Sequence, residues 1–221
     1  MFLYTGLALT PPFLMQMGLE GVANAIYTLY SPMCHQFAFR SLFFFGDQVT
    51  YPREIAGADS KSFEYYAIQD AHFDHIEELT AWSPELQIAA RSFKGNEQMG
   101  YKTALCERDV AIYGMMFLMG LLFARVRHWL RPASLWLYLM LGLVPLGLDG
   151  FSQMFSYPPF EFWPVRETIP AYRILTGALF GLMNVWLAFP YLESSMRETM
   201  AVMGERLEMA QQLLKAVHDE K

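Results

Sequence analysis

Two cysteines, Cys34 and Cys106, are all that the chain contains. That is too few for a disulfide scaffold, although a single bridge stays open to them in an oxidising compartment. Charge is scarce as well. Asp, Glu, Lys and Arg make up 17% of the 221 residues, against roughly 25% in a soluble domain. The longest basic cluster is Arg125 to Arg131, and the net charge is −6. With no basic stripe, nucleic acid is excluded as a partner. There is no phosphate-binding glycine loop, serine-hydrolase elbow, HExxH pair or CxxCH haem motif. None of the five histidines lies in a long apolar run, which argues against a haem held by two histidines between spans.

What the chain has in quantity is apolar surface. It is 54% hydrophobic and 16% aromatic, with 18 Phe and 15 Met. Four apolar stretches approach the length of about 20 residues that crosses a bilayer. They are Met1 to Met17, interrupted by Pro11-Pro12, then Val110 to Val126, Ala133 to Gln153 and Ala171 to Tyr191. The expected fold is an all-α, polytopic membrane helix bundle of about four spans. Residues 1–45 and 106–191 supply the membrane domain, and the lipid bilayer is its first partner. Pro132 is expected to open the third span. Gly177 and Gly181 give the fourth a small-residue face suited to close helix packing.

Residues 46–105 form a long polar insertion rich in Asp and Glu. Its aromatics, among them Phe63, Tyr66, Phe73, Trp82 and Phe93, favour an ordered extramembrane cap. Two short helices are expected there, Tyr65 to Ile76 and Ser83 to Phe93, the second with Ser83 as cap and Pro84 at its first position. His72 and His75, beside Asp74, Glu77 and Glu78, could reach a metal, but a solvated face is the preferred reading. Residues 192–221 read as a charged amphipathic helix, with Met196, Met200, Met203, Leu207, Ala210, Leu214 and Val217 on one stripe.

Orientation follows from the short loops. Arg125, Arg127 and Arg131 between the second and third spans mark a cytoplasmic loop. The C-terminal helix is then cytoplasmic too, and the insertion 46–105 lies outside the cell membrane. This topology brings the polar ends of the spans to one outer face. Cys34 and His35 follow the first span, and Cys106, Arg108 and Asp109 enter the second. Asp149 and Gln153 close the third, and Arg173 and Thr176 open the fourth. Ionisable groups at membrane depth are costly, so this cluster is the candidate functional site. Asp149 and Arg173 are expected to pair. Cys34, His35, Cys106 and Asp109 supply two soft sulfurs, an imidazole and a carboxylate, a donor set suited to zinc. A Cys34–Cys106 disulfide is the alternative.

Cys34-His35-Gln36 followed by Arg40-Ser41, Cys106-x-Arg108, Tyr113-Gly114, Asp149-x-x-x-Gln153 and Arg173-x-x-Thr176-Gly177 form an ordered set along the chain. In this set the chain resembles a family of uncharacterised bacterial and archaeal predicted membrane proteins marked by a Cys-His-Gln signature. That pattern continues as Cys-x-Arg-Cys, where this chain has Asp109 in place of the second cysteine. The resemblance adds Gln36 and Arg40 to the polar cluster and implies no reaction. Two functions stay open: an accessory or structural subunit of a larger membrane complex, joined to other membrane-protein subunits, and a metal-dependent membrane enzyme acting on a lipid or lipid-linked substrate.

Overall fold

A computed structural model describes residues 1–219, with side chains to residue 212. Three of its helices are long and apolar enough to cross a membrane. They are α6 (Glu107–Val126), α7 (Leu135–Met154) and α8, which runs from Pro170 to Asp219. The expected span from Met1 to Met17 folds instead as α1 (Phe2–Leu9) and α2 (Pro11–Gln16), neither long enough to cross. Pro11 and Pro12 lack N–H groups, so the turn ahead of them cannot close its backbone hydrogen bonds. Helix α3 (Glu20–Tyr30) follows. α1 lies against the first half of α6, with Tyr4 4.9 Å from Tyr113 and Phe2 5.4 Å from Phe117 between ring centroids.

α6 and α8 run parallel, and glycine sets their separation. A Cβ on Gly177 would stand 2.8 Å from the Arg108 carbonyl oxygen, and one on Gly181 would overlap the Ile112 carbonyl. α7 returns antiparallel to both. It starts at Ser134, whose hydroxyl caps Leu137 N, so Pro132 lies ahead of the helix rather than in its first turn. From Tyr138 to Leu143 its backbone widens to a π-helical turn. Pro145 follows directly, and its ring and missing N–H disturb the preceding turn in the way such widenings absorb. Leu118, Leu121, Leu122, Trp136, Leu148 and Phe151 on these helices are exposed. Apolar side chains spread along helices of spanning length suit a lipid environment.

The fold is mostly helical but not purely so, which corrects the all-α expectation. Strands β1 (Ser41–Phe44), β2 (Gly95–Asn96) and β3 (Gly100–Cys106) form an antiparallel sheet in the order β1-β3-β2. Ser41 pairs with Cys106 and Phe43 with Lys102. Gly100 is the residue that lets the chain turn between β2 and β3. Its φ is +72°, and a Cβ there would overlap the Phe44 carbonyl.

In the insertion, the helix expected over Tyr65 to Ile76 is shorter and broken. It forms α4 (Phe63–Ala67) and a single 3₁₀ turn at Ala71–Phe73. α5 (Pro84–Ser92) is capped by Ser83, which accepts from Leu86 N at 3.1 Å. Phe39, Phe43, Tyr51, Phe63, Tyr66, Phe73, Leu86 and Phe93 fill one aromatic core. Arg53 is buried within this layer, paired to Glu64 at 3.1 Å. Lys102 is fully buried as well. It donates to the carbonyl oxygens of Gln36 and Arg91 at 2.6 and 2.7 Å, and to that of Ala90 at 3.3 Å. Burial pushes this ammonium down to about 7. Three acceptors nonetheless match its three protons and favour the charged form.

On α8, Met196, Met200, Met203 and Leu207 are exposed. Leu214 and Val217 of the expected stripe lie outside the described side chains.

Candidate functional site

Cys106 is the hinge of the site. It ends β3 and caps α6, its sulfur accepting from Asp109 N at 3.4 Å. Strand pairing to β1 holds it beside Cys34, which leaves the end of α3 through a short turn. Cys34 Sγ accepts from Cys106 N at 3.3 Å and from Gln36 N at 3.5 Å. The two sulfurs and a carboxylate oxygen of Asp109 all lie within 4.8 Å of one another, and the sulfurs are not bonded. A hydrogen bond from Cys106, helped by the two backbone N–H groups, brings the Cys34 thiol below its ordinary value against the opposing effect of burial. The same shared bond, together with burial, pushes the Cys106 thiol up.

His35 does not join these three ligand atoms. Its ring is stacked on Phe37, 5.4 Å between centroids, and the residue is exposed. Gln36 also has another task. At φ +56° it turns the chain back, and its amide donates to the carbonyls of Tyr27 and Ala104, both at 2.9 Å. Thr176 donates to Tyr172 O within its own helix. His72 Nε2 lies 3.1 Å from Ala89 O and 3.0 Å from Ser92 Oγ. Neither it nor His75 belongs to a group of metal-ligating side chains among the described residues.

Next to the thiols, the ends of α6, α7 and α8 share a buried ionic network. Asp149 and Arg173 are both in it, but they do not pair with each other. Asp149 takes Arg108, Thr168 and, at 3.5 Å, Arg166. Arg173 takes Glu167, and Glu107 at 3.4 Å. Glu167 is the hub. Its oxygens accept from Arg40 at 2.6 Å and from Arg173, Gln153 and Tyr157. Burial alone would raise the Glu167 carboxyl, but the guanidinium groups of Arg40 and Arg173 outweigh it and hold it below its ordinary value. Tyr157 goes the other way: burial, and then the Glu167 charge, push its phenol up, so it remains a donor.

Arg40 and Tyr157 tie this network to the aromatic layer. Trp82 stacks on Tyr157 at 4.0 Å, and the Arg40 guanidinium lies 5.5 Å from the Trp82 ring centre. Contacts of this kind add of order 1 kcal/mol each. Residues from the insertion, the loop 155–169 and all three long helices thus meet at one end of the bundle.

Glu107, Tyr157, Arg166, Glu167 and Thr168 had no place in the sequence-based cluster. Glu107 sits between two residues that did, Cys106 and Arg108. Glu167 and Thr168 lie in an aromatic, proline-rich loop whose pattern carries no period.

Comparisons with known proteins agree with the membrane reading and go no further. No curated protein and no solved structure matches the chain. Residues 87–187 match the model of a family described as "Predicted membrane protein (DUF2085)", a domain of unknown function. The matched stretch holds Cys106, Arg108, Asp109, Asp149, Gln153, Glu167 and Arg173, while Cys34 and Arg40 lie ahead of it. Together with the three long apolar helices, that match makes this a predicted membrane protein of unassigned function.

Proposed function

We propose that the chain is an accessory or structural subunit of a larger membrane complex. In this reading it is multi-pass in the cell membrane, with residues 46–105 outside and the C-terminal helix in the cytoplasm. The observation that carries it is the ionic network. Its carboxylates and guanidinium groups are spent mainly on one another, with Glu167 accepting from four side chains. Such a network fixes the insertion and three helices in one arrangement, and specificity of arrangement is what buried ionic groups can supply. The exposed apolar faces of α6 and α7 and the Met-bearing stripe of α8 offer surface to neighbouring subunits as well as to lipid.

Zinc at Cys34, Cys106 and Asp109 belongs to the same proposal. Two sulfurs and a carboxylate are donors that zinc accepts, and the N–H groups aimed at Cys34 Sγ suit a thiolate. The metal would join the turn after α3 to the start of α6. One feature favours the enzyme reading instead: three protein donors leave a tetrahedral zinc one open position, as in catalytic sites.

Native electrophoresis of membranes dissolved in mild detergent, with quantitative mass spectrometry of the band, tests the subunit reading. The chain is expected to run above its own 25.5 kDa in its detergent belt, with other polypeptides at fixed ratio. Migration as an isolated chain would contradict it. Elemental analysis of the same band is expected to give one zinc per chain, lost on Cys34→Ser.

A further inference from the structure

A cavity of about 90 Å³ lies inside the network, lined by Arg40, Cys106, Glu107, Arg108, Gln153 and Arg173. Six buried side-chain polar atoms among the described residues have no hydrogen-bond partner, and four belong to residues of this wall. They are the Nε atoms of Arg40, Arg108 and Arg173, and Oε2 of Glu107. Glu107 is 1% exposed and Arg173 3%. Buried polar atoms are almost always satisfied, so four around one cavity point to a ligand. Charge points the same way. The lining carries three guanidinium groups, those of Arg40, Arg108 and Arg173, and one carboxylate, that of Glu107, while Asp149 and Glu167 pair with them from outside it. Guanidinium forks match the oxygens of an oxyanion.

The fourth atom narrows the ligand. In its ionised form a carboxylate oxygen can only accept, so it would then repel an anion without a proton and welcome one with an O–H. We propose that this cavity binds a singly protonated tetrahedral oxyanion, hydrogen phosphate or a phosphate monoester. The three Nε–H groups donate to its oxygens, and its own O–H donates to Glu107 Oε2. The space suffices, since about 10–15 Å³ holds a water. The site stands whether the chain is a subunit or an enzyme.

The full chain, purified in phosphate-free detergent, tests this by thermal unfolding against sodium phosphate and sodium sulfate at equal ionic strength. Phosphate is expected to raise the melting temperature saturably, and sulfate, which has no proton to give at neutral pH, to bind at least about tenfold more weakly. Glu107→Gln turns the acceptor into a group that can donate, and should bring the two anions together. No saturable response to phosphate, equal response to both in the unaltered chain, or an unchanged preference in Glu107→Gln would each overturn the proposal. Should Glu107→Gln not fold, Arg108→Lys keeps a cation for Asp149 and removes one Nε–H. It must then weaken phosphate by about tenfold, and unchanged affinity would overturn the assignment. Nanodiscs with and without phosphatidic acid separate the sources. Competition by that lipid supports a headgroup in the site, and its lack, with phosphate still bound, supports free phosphate.

Discussion

Glu167→Gln is expected to cost about 3–5 kcal/mol of stability, the usual penalty for removing one partner of a buried ion pair. The carboxylate is 2% exposed and accepts from Arg40, Arg173, Gln153 and Tyr157. Glutamine keeps the size and one acceptor oxygen, but it leaves Arg40 without its counter-charge and Arg173 with that of Glu107 alone. The loss should be pH-dependent in a definite direction. The folded carboxyl titrates below its ordinary value of 4.5. Its contribution is therefore fully present above that value and is lost as pH falls through the depressed folded one. Thermal unfolding of the detergent-solubilised chain should show a steeper acid limb for the unaltered protein than for Glu167→Gln. Parallel acid limbs, or a loss below about 1 kcal/mol, would mean that Glu167 is not the hub.

The second large effect concerns backbone approach. In Gly181→Ala the added Cβ overlaps the Ile112 carbonyl, and a main-chain atom cannot swing aside as a side chain can. α6 and α8 must separate, which should cost about 1–3 kcal/mol or more. Gly114→Ala is the matched control. Nothing lies within 4 Å of a Cβ at Gly114, which is also within α6. There the change should stabilise the helix by about 0.5–1 kcal/mol. Opposite signs for the two substitutions are the expected result. Equal signs would show that α6 and α8 are not packed through their glycines.

How far these features could be read beforehand depends on the physics behind each. Long apolar runs declare themselves by composition, so α6, α7 and the membrane part of α8 were visible. Ser83-Pro84 announces α5 because cap chemistry is local. The ends of those helices also told which polar residues gather at one level. Neighbours around the bundle are another matter. Arg108 and Arg173 enter at the same level, and only the packing of α7 decides that Asp149 meets the first and not the second. Glu167 stayed hidden because a loop acid bound by two arginines looks, in sequence, like any solvated one. The sheet was missed because β3, Gly100 to Cys106, holds buried residues at most positions rather than alternating ones. Its Lys102 reads as a surface residue, although it is buried against three carbonyls.

The proposed orientation puts the insertion and the network on the outer side of the membrane and Arg125 to Arg131 on the inner. Single cysteines at positions 60 and 128, in a Cys34→Ser, Cys106→Ser background, test it with a membrane-impermeant thiol reagent on intact cells. Position 60 should label from outside, and position 128 only after the membrane is opened. Labelling of position 128 in intact cells, with position 60 protected, would contradict the arrangement and move the whole site to the cytoplasmic face.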